Sequence, residues 1–365
     1  EKISRKQSAC RIFCKARASV RLQICARGRN IELQMVVDTD RVRRNVENIK
    51  SKLHAKLMLM VKANAYGHGL LQVAGATQDL VDAFGVATIE EAKALQDSGV
   101  TKDILVLLAQ PNELCDVCKR GLLLSLHCKE QLQELLRLAR VGFVDPKSAR
   151  LHLKVDSGMH RFGFEKCKID EICRTLKDYG FHAEGVFSHL RDGSASQKAL
   201  FDECVEIVKS SFPNVIAHLA SSHSFEKDGL QYDMVRVGLC AYKGAMSVIS
   251  EVVDARFVRR GEIVGYGGSP LENDSNVAFV FGGYADGICR ESPHGAWIGG
   301  NYCKAVGIAC MDVFAVDTQD YIAKIGEKVT LFDGETALIA ANERKTVEYC
   351  VYTAFSRSRS VCKKI

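Results

Sequence analysis

The sequence predicts an α/β protein, an N-terminal (β/α)8 TIM-like barrel followed by a mostly β C-terminal domain. Three observations carry that expectation. Eight short apolar runs of strand length recur between residues 57 and 238. Most are separated by polar–apolar stretches of helical length, such as TIEEAKALQDSG (88–99) and KEQLQELLRLAR (129–140). After residue 245 the helical crossovers stop, and short β-type runs appear between Gly-rich turns. Eight strands with crossovers over about 200 residues match a closed parallel barrel. A doubly wound open sheet satisfies the same burial pattern, and the strand count favours the barrel.

Taken in order, residues 1–30 carry nine Lys or Arg against one acid, Glu1, with Ser4, Ser8 and Ser19 among the arginines. That is the composition of an organelle transit peptide, and equally of an unstructured arm. Without it the +6 net charge falls to near neutrality, so no broad nucleic-acid surface is expected. Val42, Val46, Ile49 and Leu53 then recur at helical spacing. The strands follow as LMLMV (57–61), FGVA (84–87), ILVLL (104–108), LLLSL (122–126), LHLKV (151–155), GVFSH (185–189), VIAHLA (215–220) and MVRVG (234–238). The gap at 221–233 is the least helical of the crossovers. EIVGYG (262–267), NVAFVFGGYADG (276–287), KAVGIACMDVFAVD (304–317) and KVTLF (328–332) read as β segments. The expected domains are a basic extension at 1–30, a barrel at 31–248 and a β domain at 249–365, with the boundary near 245–255.

Composition excludes several classes. With 47% hydrophobic and 26% charged residues, the chain reads as an ordinary globular protein. No uncharged apolar run reaches the ~18–20 residues that span a bilayer, so neither a membrane nor nucleic acid is expected as a partner. The expected location is the cytoplasm, or an organelle if residues 1–30 are a targeting segment. Fifteen scattered cysteines, an odd number, read as reduced apolar fillers. Cys115 and Cys118 have metal or redox spacing, but no second such pair or histidine cluster accompanies them, and no metal is expected.

In a parallel barrel, catalytic groups sit at the C-terminal ends of strands. The first strand here ends at Lys62 and the sixth at His189; Ser221 and Ser222 follow the seventh, and the eighth carries Arg236 and Gly238. Singly, each has an ordinary structural explanation. Together with KANAYGHG (62–69) they suggest chemistry. A lysine in a partly apolar pocket loses its charge more readily and becomes a nucleophilic amine, able to form a Schiff base with an aldehyde cofactor, of which pyridoxal 5'-phosphate is the usual one. The Ser222 hydroxyl and the amides of Gly238 and Leu239 could cradle its phosphate, and Arg236 could face its ring nitrogen.

VKANAYGHG (61–69) closely resembles the cofactor-lysine motif of alanine racemases, fold-type III pyridoxal phosphate enzymes. LHLKVDSGMHRFGF (151–164), GVFSHL (185–190), HLASS (218–222), YDMVRVGLCAY (232–242), GEIVGYG (261–267), GYADGICR (283–290) and ACMDVFAVD (309–317) follow in that family's order, from about residue 33 to 360. The resemblance implies interconversion of L- and D-alanine, with Lys62 and Tyr284 as acid/base groups on opposite faces of Cα. A tyrosine near its ordinary ~10 is a poor base at neutral pH; by resemblance, His189 and Arg236 form the hydrogen-bonded chain that serves this one. Arg236 would act on the pyridine nitrogen as a permanent donor, leaving a weaker electron sink that favours return of the proton. Tyr66, Ser222, Gly238 and Leu239 match the phosphate-binding set. Arg161 and the Met311 amide match the substrate carboxylate site, and Lys154, carbamylated in many members, supports Arg161. His218 and Asp312 match supporting positions. Tyr284 and Met311 enter from the partner subunit in the family, implying a head-to-tail homodimer.

The sequence also departs from the family. Ser356, in AFSRSRSV (354–361), stands at or near a tyrosine that closes over the phosphate in many members. HLASS, CAYKG and HRFGF replace the commoner HxANS, AMYG and NRLGF, and none removes a group the mechanism requires. The alternatives are a serine or broad-specificity racemase, a fold-type III decarboxylase, an inactive relative, and a non-catalytic pyridoxal phosphate-binding protein. Arg236 and Tyr284 together speak against the decarboxylase, and the β domain with Tyr284 and Cys310–Asp312 against the binding protein.

Overall fold

The computed structural model describes residues 21–22, 33–191, 195–334 and 336–355. The basic segment thus lies almost wholly outside the described residues, as does Ser356. The chain divides into two compact units, residues 42–243 and the segments on either side of them.

Two strands, β1 (Arg21–Leu22) and β2 (Gln34–Val37), precede the barrel. The barrel strands are β3 (Lys56–Met60), β4 (Ala83–Val86), β5 (Asp103–Val106), β6 (Leu123–Leu126), β7 (Arg150–Lys154), β8 (Ala183–Phe187), β9 (Ile216–His218) and β10 (Met234–Val237). They pair in parallel in sequence order, with β10 returning to β3. Asp233 N–H to Ala217 O and Arg236 N–H to Ala220 O link the last two strands and close the ring. All eight expected strands are present. Four residues of β4, of β6 and of β10 are buried without alternation, as strands covered on both faces must be. Met58, Met60, Ala83, Leu105, Leu123 and Met234 pack together, with Tyr66 against them. Gly85 makes room for them, since a Cβ there would lie 2.5 Å from Met60 Sδ.

The helices form where the spacing requires. Val42, Val46 and Ile49 are the buried stripe of Thr39–Lys50. Ile89–Asp97 starts at a capping box in which Thr88 and Glu91 satisfy each other's backbone N–H groups. No helix joins β9 to β10; hydrogen-bonded turns run from Ser221 to Leu230 instead.

The second unit is an antiparallel sheet built on β11 (Met246–Val258), with β12 (Ser275–Phe281), β13 (Ala296–Ile298), β14 (Asn301–Val306), β15 (Val313–Gln319) and β16 (Lys328–Phe332). One part of β11 pairs with β2 and β16 and another with β12, and the register shifts between Val252 and Asp254.

Five expectations differ from the structure. The first strand reaches only Met60, with Lys62 two residues on, and the sixth ends at Phe187, with His189 two residues on. EIVGYG forms no strand beyond a Tyr266–Ile308 bridge, because Gly261, Gly265, Gly267 and Gly268 all adopt positive φ. The run at 304–317 is two strands, broken where Gly307 turns at φ 68°. Residues 34–37, expected within the barrel, instead pair with β11, and their half-buried alternation suits an antiparallel sheet.

Candidate active site

Lys62 opens a short turn, Lys62–Tyr66, that is left-handed. Ala63, Asn64, Ala65 and Tyr66 all lie at φ 53–55°. This hand costs an L-residue about 1–2 kcal/mol, so the turn must be held from outside. Ala65 N–H donates to Val61 O, Leu70 N–H to Asn64 Oδ1, and Ala63 N–H to the Glu91 carboxylate at 2.6 Å. The turn swings the Lys62 amine into a partly buried position, and burial pushes its pKa below the usual lysine value. The charge of Arg161 adds to that fall, Glu91 opposes it, and Arg236 adds further.

At the neighbouring strand ends Tyr66, Ser222 and Gly238 converge. Ser222 Oγ accepts hydrogen bonds from Gly238 N (2.9 Å) and Cys240 N (3.4 Å). A Cβ on Gly238 would lie 2.5 Å from the Tyr66 hydroxyl, so only glycine fits this approach. Leu239 begins the short helix Leu239–Tyr242. Tyr242 stacks on His68 and lies beside Tyr66, and its hydroxyl donates to Met60 O at the end of β3.

Arg236 is buried on β10. Its Nη1 donates to His218 Nδ1 (2.9 Å) and His218 O (2.7 Å), and its Nη2 to Ser188 O (2.5 Å) and Leu219 O (3.3 Å). Because His218 Nδ1 accepts, its proton sits on Nε2, which donates to His152 Nδ1 at 2.9 Å. Burial drives both histidines to the neutral form, His152 to about 3 and His218 well below its ordinary value. Phe187 stacks on His218, with Lys154 Nζ and the Arg236 guanidinium over its ring. Burial lowers Lys154 to about 8, helped by the charges of Arg236 and Arg161. His189 falls to about 3, from burial and the charges of Arg236, Arg161, Lys154 and Lys62. Four cations thus act on one region, against the carboxylates of Glu91 and Asp156. Such a region favours an anion.

In the other unit, Tyr284 and Met311 lie on adjoining loops, 41% and 51% exposed. Tyr284 N–H donates to Cys310 O, Ala285 N–H to Met311 O and Gly282 N–H to Asp312 O. A Cβ on Gly283 would stand 2.2 Å from Met311 O, so the two loops are in backbone contact.

The structure therefore gathers Lys62, Tyr66, Lys154, Arg161, His189, His218, Ser222, Arg236, Gly238 and Leu239 around the strand ends of the barrel, and Tyr284, Met311 and Asp312 on the β unit. Glu91, His152 and Tyr242 carried no sequence assignment. Glu91 had a signal in the T-x-x-E capping pattern, and His152 in being a histidine within an apolar strand. Cys115 and Cys118 are free thiols on the helix Leu114–Lys119, and burial raises Cys118 to about 12. No group of three or more metal-ligating side chains occurs among the described residues.

A parallel barrel with a partly buried lysine of lowered pKa just past its first strand, followed by an antiparallel β unit, is the class of protein that the fold and site define. The comparisons narrow the class. The alanine racemase N-terminal domain model matches residues 37–246 and the C-terminal domain model residues 245–362. The chain belongs to the alanine racemase family. It is 30% identical to the alanine racemase of Streptococcus equi subsp. zooepidemicus, over 88% of this chain and 95% of that one. It is 31% identical to that of Salinispora tropica, over 90% and 97%. Among solved structures, the alanine racemase of the D-cycloserine producer Streptomyces lavendulae superposes with a TM-score of 0.82 at 26% identity, covering 90% of this chain and 96% of that one. The fold is shared at 21% identity with the Bartonella henselae alanine racemase with covalently bound pyridoxal phosphate, TM-score 0.78, over 88% and 96%.

Proposed function

We propose that this enzyme interconverts L-alanine and D-alanine with pyridoxal phosphate as cofactor, Lys62 and Tyr284 being the two groups that move the Cα proton. The observation that carries the reading is the partly buried Lys62 amine, with its lowered pKa, in a cationic region beside Tyr66, Ser222 and Gly238. These residues fit the cofactor: Lys62 supplies the tethering amine, and Ser222 Oγ, which accepts from the Gly238 and Cys240 N–H groups, keeps its own O–H to donate to a phosphate held beside Tyr66, Gly238 and Leu239. When bound, pyridoxal phosphate supplies an electron sink that weakens the Cα–H bond of an amino acid joined to it.

The protein's own groups do the rest. Lys62 Nζ takes or returns the proton on one face of Cα, and Tyr284 Oη of a second copy acts on the other. His189, held neutral at about 3, can accept a hydrogen bond from that hydroxyl. Four Arg236 N–H groups are satisfied by His218, Ser188 and Leu219, and we assign the remaining Nε–H to the pyridine nitrogen. Arg161 and the Met311 amide would hold the substrate carboxylate, and Lys154 and Asp312 support them. Ser356 is assigned to the cofactor site by sequence position.

The exposure of Tyr284 and Met311 supports a head-to-tail homodimer whose sites are shared between copies. The composition supports a cytoplasmic enzyme, or an imported one if residues 1–30 direct it. Among the described residues, no helix is long and apolar enough to cross a membrane. Borohydride reduction of the purified protein followed by peptide mapping tests the reading. The visible band should disappear and the pyridoxyl group should be found fixed on Lys62; fixation on another lysine, or no bound cofactor, overturns it.

A further inference from the structure

The left-handed turn after Lys62 has an outside support, and one side chain provides much of it. Glu91 Oε1 accepts from Ala63 N–H at 2.6 Å, while Oε2 accepts from Ala87 N–H at 2.8 Å and from Thr88 N–H at 3.4 Å. Glu91 N–H in turn donates to Thr88 Oγ1 at 3.3 Å. In a capping box the glutamate returns to the cap residue's own N–H. Reaching a second element with the other oxygen lies outside that motif. Here it ties the start of the helix Ile89–Asp97 to the first peptide of the turn that aims Lys62.

We propose that Glu91 is a positioning residue for Lys62, clamping the left-handed turn through Ala63 N–H and setting a negative charge against the cations around the amine. The inference rests on Lys62 being the reactive amine. The groups acting on that amine are Arg161 and Arg236, which disfavour its charge, and Glu91, which favours it. Glu91 therefore limits how far burial and the arginines lower the amine. It also fixes the direction in which the amine leaves the barrel. A glutamine in its place can accept at only one oxygen, and its amide N–H groups would face the second backbone donor.

The test uses the full-length chain freed of cofactor with hydroxylamine. Lys62 is acetylated competitively over a pH series and read by mass spectrometry against exposed Lys147, with amide exchange followed at Ala63. In Glu91→Gln, the Lys62 profile should move to lower pH, raising its labelling near neutrality by about two- to fivefold, and Ala63 should exchange faster. Thr88→Ala weakens the cap but keeps the carboxylate, and should leave the Lys62 profile as in the parent. A parent-like profile in Glu91→Gln, or the same shift in Thr88→Ala, overturns the proposal. If Glu91→Gln fails to fold, Glu91→Asp decides: it keeps the charge but shortens the reach, so Ala63 should lose protection while Lys62 titrates close to the parent. Undiminished Ala63 protection in Glu91→Asp also overturns it. Borohydride fixation in the parent is scored separately; its absence from Lys62 removes the catalytic reading, whatever Glu91 does.

Discussion

Arg236 shows most clearly how single residues are held in this barrel. Its two terminal nitrogens reach one imidazole and three backbone carbonyls, all buried. Arg236→Leu would leave those acceptors without donors, and should lower stability by about 2–4 kcal/mol in urea denaturation. Tyr284 is the opposite case: exposed, and fixed by the backbone around it rather than by packing of its ring. Tyr284→Phe should therefore fold as the parent does, while kcat/KM falls by about 10²- to 10⁴-fold, as expected when one proton-transfer group is lost. A parent-like rate would remove Tyr284 from the proposed mechanism. The placement of Lys62, Ser222 and Gly238 just beyond strands was legible to within a few residues, because the pattern that makes a strand also says roughly where it stops. The Arg236–His218–His152 chain was not, because β7, β9 and β10 meet only when the ring closes.

At the scale of elements, the left-handed turn and the strand packing carry the strain. Ala63 adopts φ 53°, which glycine reaches at little cost. Ala63→Gly should leave stability unchanged or raise it by up to about 1 kcal/mol in thermal unfolding. A loss of that size would show that the turn is not strained. Gly185 on β8 is the reverse case, since a Cβ would stand 2.3 Å from His152 Nδ1. Gly185→Ala should cost about 1–3 kcal/mol by overpacking and should break the His152–His218 hydrogen bond. Barrel strands were legible because unbroken burial produces apolar runs. The β unit was less so: β11 mixes Ser, Glu, Asp and Arg into its thirteen residues and carries register shifts. EIVGYG has β-type side chains, but its neighbouring glycines turn the backbone away.

For the molecule as a whole, buried neutral histidines set the response to acid. His152, His189 and His294 are pushed down to about 3 and His68 to about 4, in each case chiefly by burial. Unfolded histidine titrates near ~6.5. Between those values the unfolded chain binds more protons than the folded one, so stability falls as pH drops below ~6.5 and is insensitive to these groups above it. Calorimetry over a pH series should show the midpoint declining from ~6.5 towards ~4; a flat midpoint there would mean that the histidines are accessible to protons in the fold. The helix-bearing parallel part and the antiparallel part were distinguishable in sequence because crossovers leave a periodicity that turns do not. The return of residues 34–37 to the second unit was not, since nothing local says which sheet a short strand joins.

The most direct measurement is α-proton exchange of L-alanine in deuterated water, catalysed by the purified chain with pyridoxal phosphate, with Lys62→Ala alongside. Exchange accompanied by loss of optical rotation in the parent, and neither in Lys62→Ala, is the expected result. Bound cofactor without exchange on alanine would contradict the assigned substrate, and exchange persisting in Lys62→Ala would contradict the role of the lysine.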